Sequence, residues 1–180
     1  MKTFYHVALI VALTGVSFAQ TAAKQLSFDL SKIGFVLNGE QICEDKGRLQ
    51  DYPSKVMDEI IAAGPKAVPV LIAMITDAKP VKTNEPVIYY WYGMTVGDLA
   101  LCLLSDLFSD PSDQRTVPGT YWASMMDAAD KNRQAADQLH LFVKRHGRSI
   151  LQAKWERVWA RYQGQVHWDT KDRCFKLNGQ

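Results

Sequence analysis

Hydrophobic and polar positions along this chain fall into a mostly helical pattern. The segment YPSKVMDEIIAAGPKAVPVLIAMITD begins at Tyr52. Within it Val56, Met57, Ile60 and Ile61 recur at helical spacing and predict one apolar stripe. Pro53 is suited to a helix start and Gly64 to its end. Gly64-Pro65 then breaks the chain, and a second helix is expected over 66–76 with Pro69 in its first turn, where proline is tolerated. Thr95 to Phe108 reads TVGDLALCLLSDLF, apolar on almost every face, which predicts a central core helix. Thr95 and Asp98 fit a capping box at its start. Residues 121–147 predict one or two helices, with Met125, Met126 and Ala129 as an early stripe, Leu139, Phe142 and Val143 as a later one, and Gly147 as the stop. RSILQAKWERVWARYQ (148–163) predicts an amphipathic helix ended by Gly164. Ile150, Leu151, Trp155, Val158, Trp159 and Tyr162 share its apolar side, and Lys154, Arg157 and Arg161 its polar side.

The two ends of the chain change period. Leu26, Phe28 and Leu30 alternate with polar residues, and FVLNGEQIC sets Asn38-Gly39 between two short runs, a hairpin signal. The tail QVHWDTKDRCFKL reads as two extended pieces around the turn residues Asp169 to Asp172, placed to pair with the N-terminal element. Proline-bearing segments at 77–88 and 109–120 read as loops, long ones for packed helices. The fold expected is mainly α: packed helical hairpins with a small β element formed by the N- and C-terminal segments.

IIAAGPKAVPVLIAMI resembles one unit of the HEAT-type helical repeat family. There an amphipathic helix leads through a tight turn to a second helix beginning A-V-P-x-L, here Ala67, Val68, Pro69 and Leu71. The resemblance covers residues 53–76 only. It implies an α-α superhelix-like scaffold and a protein-binding surface, and no catalytic residue.

Composition then places the chain. MKTFYHVALIVALTGVSFAQ has one early cation, Lys2, an apolar run from Val7 to Val16, and small residues at Ser17 and Ala19. That is the layout of a secretory signal peptide cleaved after Ala19. The expected organisation is therefore a leader, 1–19, and one helical domain, 20–180, exported to the periplasm or secreted. The apolar run is too short for a permanent span, and no later stretch is long and apolar enough. Removing the leader with Lys2 lowers the net charge from +2 to +1. Such a chain offers no global attraction to nucleic acid or an anionic membrane. Apolar residues make up 47% of the sequence, enough for a packed core. Of three cysteines, Cys102 lies within the apolar helix and reads as a buried small hydrophobe. Cys43 and Cys174, in polar segments near opposite ends of an exported chain, are expected to form a disulfide.

Candidate chemistry is sparse. Tyr89, Tyr90, Trp91 and Tyr92 are consecutive; in an extended conformation Tyr89 and Trp91 face one side and Tyr90 and Tyr92 the other. Such rings anchor protein interfaces or stack on sugars, or else enter the core. Tyr121 and Trp122 are candidates for the same cluster. A glycosidase needs two facing carboxylates. Asp98 is better explained as a cap, and Asp106 is either a binding residue or the helix's solvated edge. His140, His146 and His167 have no metal-ligand spacing, and no nucleophile elbow, phosphate loop or dinucleotide fingerprint occurs. No catalytic residue, metal or cofactor is expected. The leading functional expectation is an exported, non-catalytic interaction domain for a protein partner, of inhibitor or immunity type. The alternative is a cell-wall or carbohydrate-binding or -cleaving protein that uses the aromatic surface.

Overall fold

A computed structural model describes residues 26–33, 48–51, 54–81, 93–126 and 135–179. The protein is mainly helical with a small two-stranded antiparallel sheet. Helix α1, Lys55–Ala63, starts at Ser54, whose hydroxyl accepts the Met57 N–H. It buries Val56, Met57 and Ile60, and ends at Gly64, whose φ of 57° is a conformation open to glycine. A tight turn over Gly64–Lys66 leads into α2, Ala67–Met74, which buries Ala67, Val68, Leu71 and Ile72. Pro69 sits in the first turn of α2, where the missing N–H has no partner to lose. The helical hairpin anticipated from Gly64-Pro65 is therefore present.

Helix α3, Val96–Leu107, is the hub. Every residue of it except Asp106 is buried. It packs against α2, Leu30–Lys32, Leu49–Asp51, Trp122–Met125 and the C-terminal strand. Its start approaches the end of α2 closely. The Gly97 N–H donates to the Asp77 carbonyl at 2.8 Å, and a methyl group on Gly97 would lie 2.2 Å from the Ile75 carbonyl oxygen. Only glycine fits there.

Helices α4, Ala135–His146, and α5, Arg148–Tyr162, turn about Gly147 (φ 79°). Helix α5 packs on both α2 and α4. Its apolar face is narrower than expected: Leu151 and Trp155 are buried, while Ile150, in the first turn, is 44% exposed.

Strands β1, Val166–Asp169, and β2, Cys174–Leu177, pair with each other, Val166 opposite Leu177 and Asp169 opposite Cys174. Phe175 of β2 stacks near Phe108 and Trp168, with ring centroids 5.2 and 5.1 Å away, and fixes the hairpin to the core. The alternating Leu26–Leu30 stretch forms no strand. It leads into a 3-10 turn, Leu30–Lys32, that buries Phe28 and Leu30. Ser31 donates to the Asp29 carboxylate at 2.5 Å, a local bond that favours a turn over a ladder. The Asn38-Gly39 hairpin lies outside the described residues. Among the described residues, no helix is long and apolar enough to cross a membrane.

Candidate functional site

The aromatic run Tyr89, Tyr90, Trp91 and Tyr92 lies outside the described residues, but both of its anchors are defined. Val81 N–H donates to the Met94 carbonyl at 3.0 Å, and Val96 N–H to the Lys79 carbonyl at 2.9 Å. Pro80 and Thr95 pair as an antiparallel bridge. The chain therefore leaves at Val81 and returns at Gly93, side by side, at the start of α3.

These anchors border a cleft of about 540 Å³ lined by Phe28, Leu30, Met74, Pro80 and Val96, with Asp29, Ser31, Asp77 and Lys79 as its polar groups. Lys79 Nζ stands 3.7 Å from Asp77 Oδ2 and is largely exposed, so this pair adds little stability. A smaller groove of about 200 Å³ runs between α2 and α5 beside Ile72, Ala73 and Trp159.

Asp98 stands close to these anchors and is fully structural. Its Oδ2 accepts the Thr95 N–H and hydroxyl, each at 2.8 Å, while Thr95 Oγ1 accepts the Asp98 N–H at 3.3 Å. The capping box is complete. Its other oxygen, Oδ1, lies 2.7 Å from Arg148 Nη1, and the carboxylate is 0% exposed. Neither atom makes an aligned hydrogen bond, so the contact is a buried charge pair with off-axis N–H geometry. Two opposite charges this close attract whatever the N–H angle.

Tyr121, Trp122 and Asp106 are not brought to those anchors. They belong to the opposite end of α3, where the Trp122 N–H donates to Ser105 Oγ at 3.0 Å. Ten residues separate Thr95 from Ser105, or about 15 Å of helix. Tyr121 is 41% exposed, with the Arg115 guanidinium 4.6 Å from its ring centroid. Trp122, expected as a contact residue, is instead a core side chain at 7% exposure, because α3 packs against its segment. Asp106 is half-buried and acts inside the molecule: its Oδ2 accepts the Leu49 N–H at 3.0 Å.

The remaining candidates also have internal roles. His167 Nδ1 lies 3.2 Å from Asn178 Oδ1. Lys176 Nζ bonds the Asp172 carboxylate and lies 3.1 Å from that of Asp169. Hydrogen bonds from Lys176 to Asp172 and then Asp169 hold its pKa above the usual lysine range. The Asp172 backbone N–H, then Lys176, hold the Asp169 carboxyl below the usual range. On the basic face, Lys154 donates to the Met125 carbonyl. Burial pushes the Cys102 thiol well up, with Asp106 and Asp98 adding to it, and burial also raises Cys174. Neither thiol is set up as a nucleophile. Cys43 lies outside the described residues.

Sequence reasoning missed the residues that organise both ends of α3: Arg148, Arg48 and Gln50. Their partners lie far away in the chain, so no spacing rule reveals them. No family model, curated protein or solved structure matches this chain.

Proposed function

We propose that this chain is an exported, non-catalytic helical interaction domain that binds a protein partner, of inhibitor or immunity type, through Tyr89 to Tyr92 and the adjoining cleft. The observation that supports this reading is the pairing of Val81 with Met94, which sets the two ends of the segment holding the aromatic run at the border of a cleft of about 540 Å³. Aromatic residues and apolar clefts with a polar rim are the elements from which binding hot spots are made. The α1–α2 hairpin, with Pro69 in the first turn of its second helix, fits a HEAT-like scaffold.

The reading includes a Cys43–Cys174 disulfide. Arg48 touches the Asp172 carbonyl at 2.8 Å, and five residues span up to ~17 Å, so Cys43 is within covalent reach of Cys174. Mass mapping of non-reduced peptides decides the point; free thiols at both positions in exported protein would end it.

The test of function is a pull-down from periplasmic extract with the processed protein and two double variants. Tyr89→Ala/Trp91→Ala removes one face of the run and Tyr90→Ala/Tyr92→Ala the other. A stoichiometric protein partner, lost with one pair only, is expected. Retention on peptidoglycan would replace this reading with the carbohydrate one, and capture unaffected by either pair would remove the aromatic run from the site.

A further inference from the structure

Residues 48–51 form a strap that ties together two distant parts of the chain, the end of α3 and the C-terminal hairpin. Arg48 Nη1 donates to the carbonyls of Ser109 at 2.5 Å and Asp172 at 2.8 Å. Its Nε and Nη2 hold the two carboxylate oxygens of Asp51, each at 2.9 Å. Gln50 Nε2 donates to the carbonyls of Asp106 at 2.7 Å and Arg173 at 3.1 Å. From the hairpin side, the Arg173 guanidinium donates to the Gln50 carbonyl through Nε, at 3.1 Å, and through Nη2. Asp106 Oδ2 takes the Leu49 N–H.

This junction differs in kind from the core beside it. Its long-range contacts are mostly hydrogen bonds to main-chain carbonyls, which water replaces on separation; those from the two arginines are the stronger, charge-assisted kind. Leu49 supplies its buried apolar side chain. Gln50 is 0% exposed, yet its Oε1 has no hydrogen-bond partner. That desolvation cost exists only while the strap is docked and is recovered when it leaves.

We propose that residues 48–51 are a detachable clasp: they undock as a unit while α2, α3 and α5 remain folded. The docked state ties the C-terminal end of α3 to the C-terminal hairpin; the undocked state frees the hairpin carbonyls of Asp172 and Arg173. A partner that binds the hairpin better in the undocked state then shifts the equilibrium by its differential affinity. The proposal does not depend on the aromatic run being a binding site.

Native-state hydrogen exchange of the whole protein, kept reduced so that no disulfide contributes, tests it. The Leu49 amide reports the strap, and the Leu101 to Leu104 amides report α3. Leu49 is expected to be protected, but to exchange at least about tenfold faster than the α3 amides. Arg48→Ala should accelerate Leu49 by about 10- to 100-fold and leave α3 unchanged, the scale of losing charged hydrogen bonds. Arg173→Gln, which attacks the junction from the hairpin, should act in the same direction. An unprotected Leu49 amide would overturn the proposal, because no docked strap would exist. A single rate for Leu49 and α3, raised equally by both variants, would also overturn it.

Discussion

The two ends of α3 present the same problem, exposed backbone groups at a helix terminus, and solve it differently. The N-terminal end is capped by neighbours in sequence, with Asp77 and Arg148 adding contacts from 20 and 50 residues away. Thr95 and Asp98 bond reciprocally, and Gly97 lets α2 approach until the Asp77 carbonyl meets a helix N–H. The C-terminal end is closed by residues outside the helix, two from the segment that follows it and Gln50 from 56 residues away. Gln50 takes the Asp106 carbonyl, Thr116 N–H the Phe108 carbonyl at 3.0 Å, and Arg115 Nη1 the Ser105 carbonyl at 2.9 Å. A locally closed end forms with the helix itself, whereas a distantly closed end depends on the fold that delivers its partners. The first fixes the points where the chain leaves and returns around the aromatic run, and the second is where the proposed clasp would undock.

Arg148→Met gives the largest expected effect and the sharpest break of this contrast. It leaves Asp98 as a buried, uncompensated carboxylate beneath the cap, and should cost about 3–5 kcal/mol in denaturant unfolding. If the cap alone sustained Asp98, the loss would fall within about 1 kcal/mol, and the N-terminal end would be wholly local after all. Gly97→Ala comes next. Its methyl group must displace the Ile75 carbonyl, so a loss of about 1–3 kcal/mol is expected from the same measurement. A neutral outcome would show that α2 and α3 separate freely there, and that the anchors of the aromatic run are not fixed.

The smallest effect belongs to the hairpin and is read in its pH dependence. The Asp169 carboxyl is held low by the Asp172 N–H and Lys176. Its contribution is therefore present above the unfolded carboxylate value, about pH 3.9, and is lost as pH falls through the lower folded value. The melting temperature of Asp169→Asn should lie below that of the parent at pH 6, and the gap should narrow below about pH 4. A gap independent of pH would mean that the Asp169 oxygen serves the turn only as a hydrogen-bond acceptor. Lys176 has the opposite sign. Its raised pKa stabilises below the ordinary lysine value, about 10.4, and the contribution is lost as pH rises through the folded value.

Sequence pattern determined a good deal of this molecule. The all-apolar faces of TVGDLALCLLSDLF placed α3 in the core, Thr-x-x-Asp marked its start, and Gly64-Pro65 marked the turn of the α1–α2 hairpin, because each signal is written within four or five residues. Position relative to distant elements was not legible. The pattern groups Ile150 with Leu151 and Trp155, but at 3.6 residues per turn it lies about 100° and 140° around the helix from them, outside the stripe, and it is 44% exposed. Pattern left Asp106 as either a binding residue or a solvated edge, and the Leu49 N–H gives it an internal role instead. Pattern made Trp122 a candidate for the aromatic cluster, and packing against α3 makes it core. Alternation at Leu26–Leu30 suggested a strand, but a strand needs a neighbour to take its hydrogen bonds, and local bonding made a turn instead. By itself the sequence determined that the chain is mainly helical and where α1, α3 and α5 start and stop, but not that the segment after Tyr121 opens as a 3-10 turn. Only the tertiary structure decided which polar residues hold those helices together. Arg148, Arg48 and Gln50 find their partners across 50 to 124 residues of chain, and no local rule spans that separation.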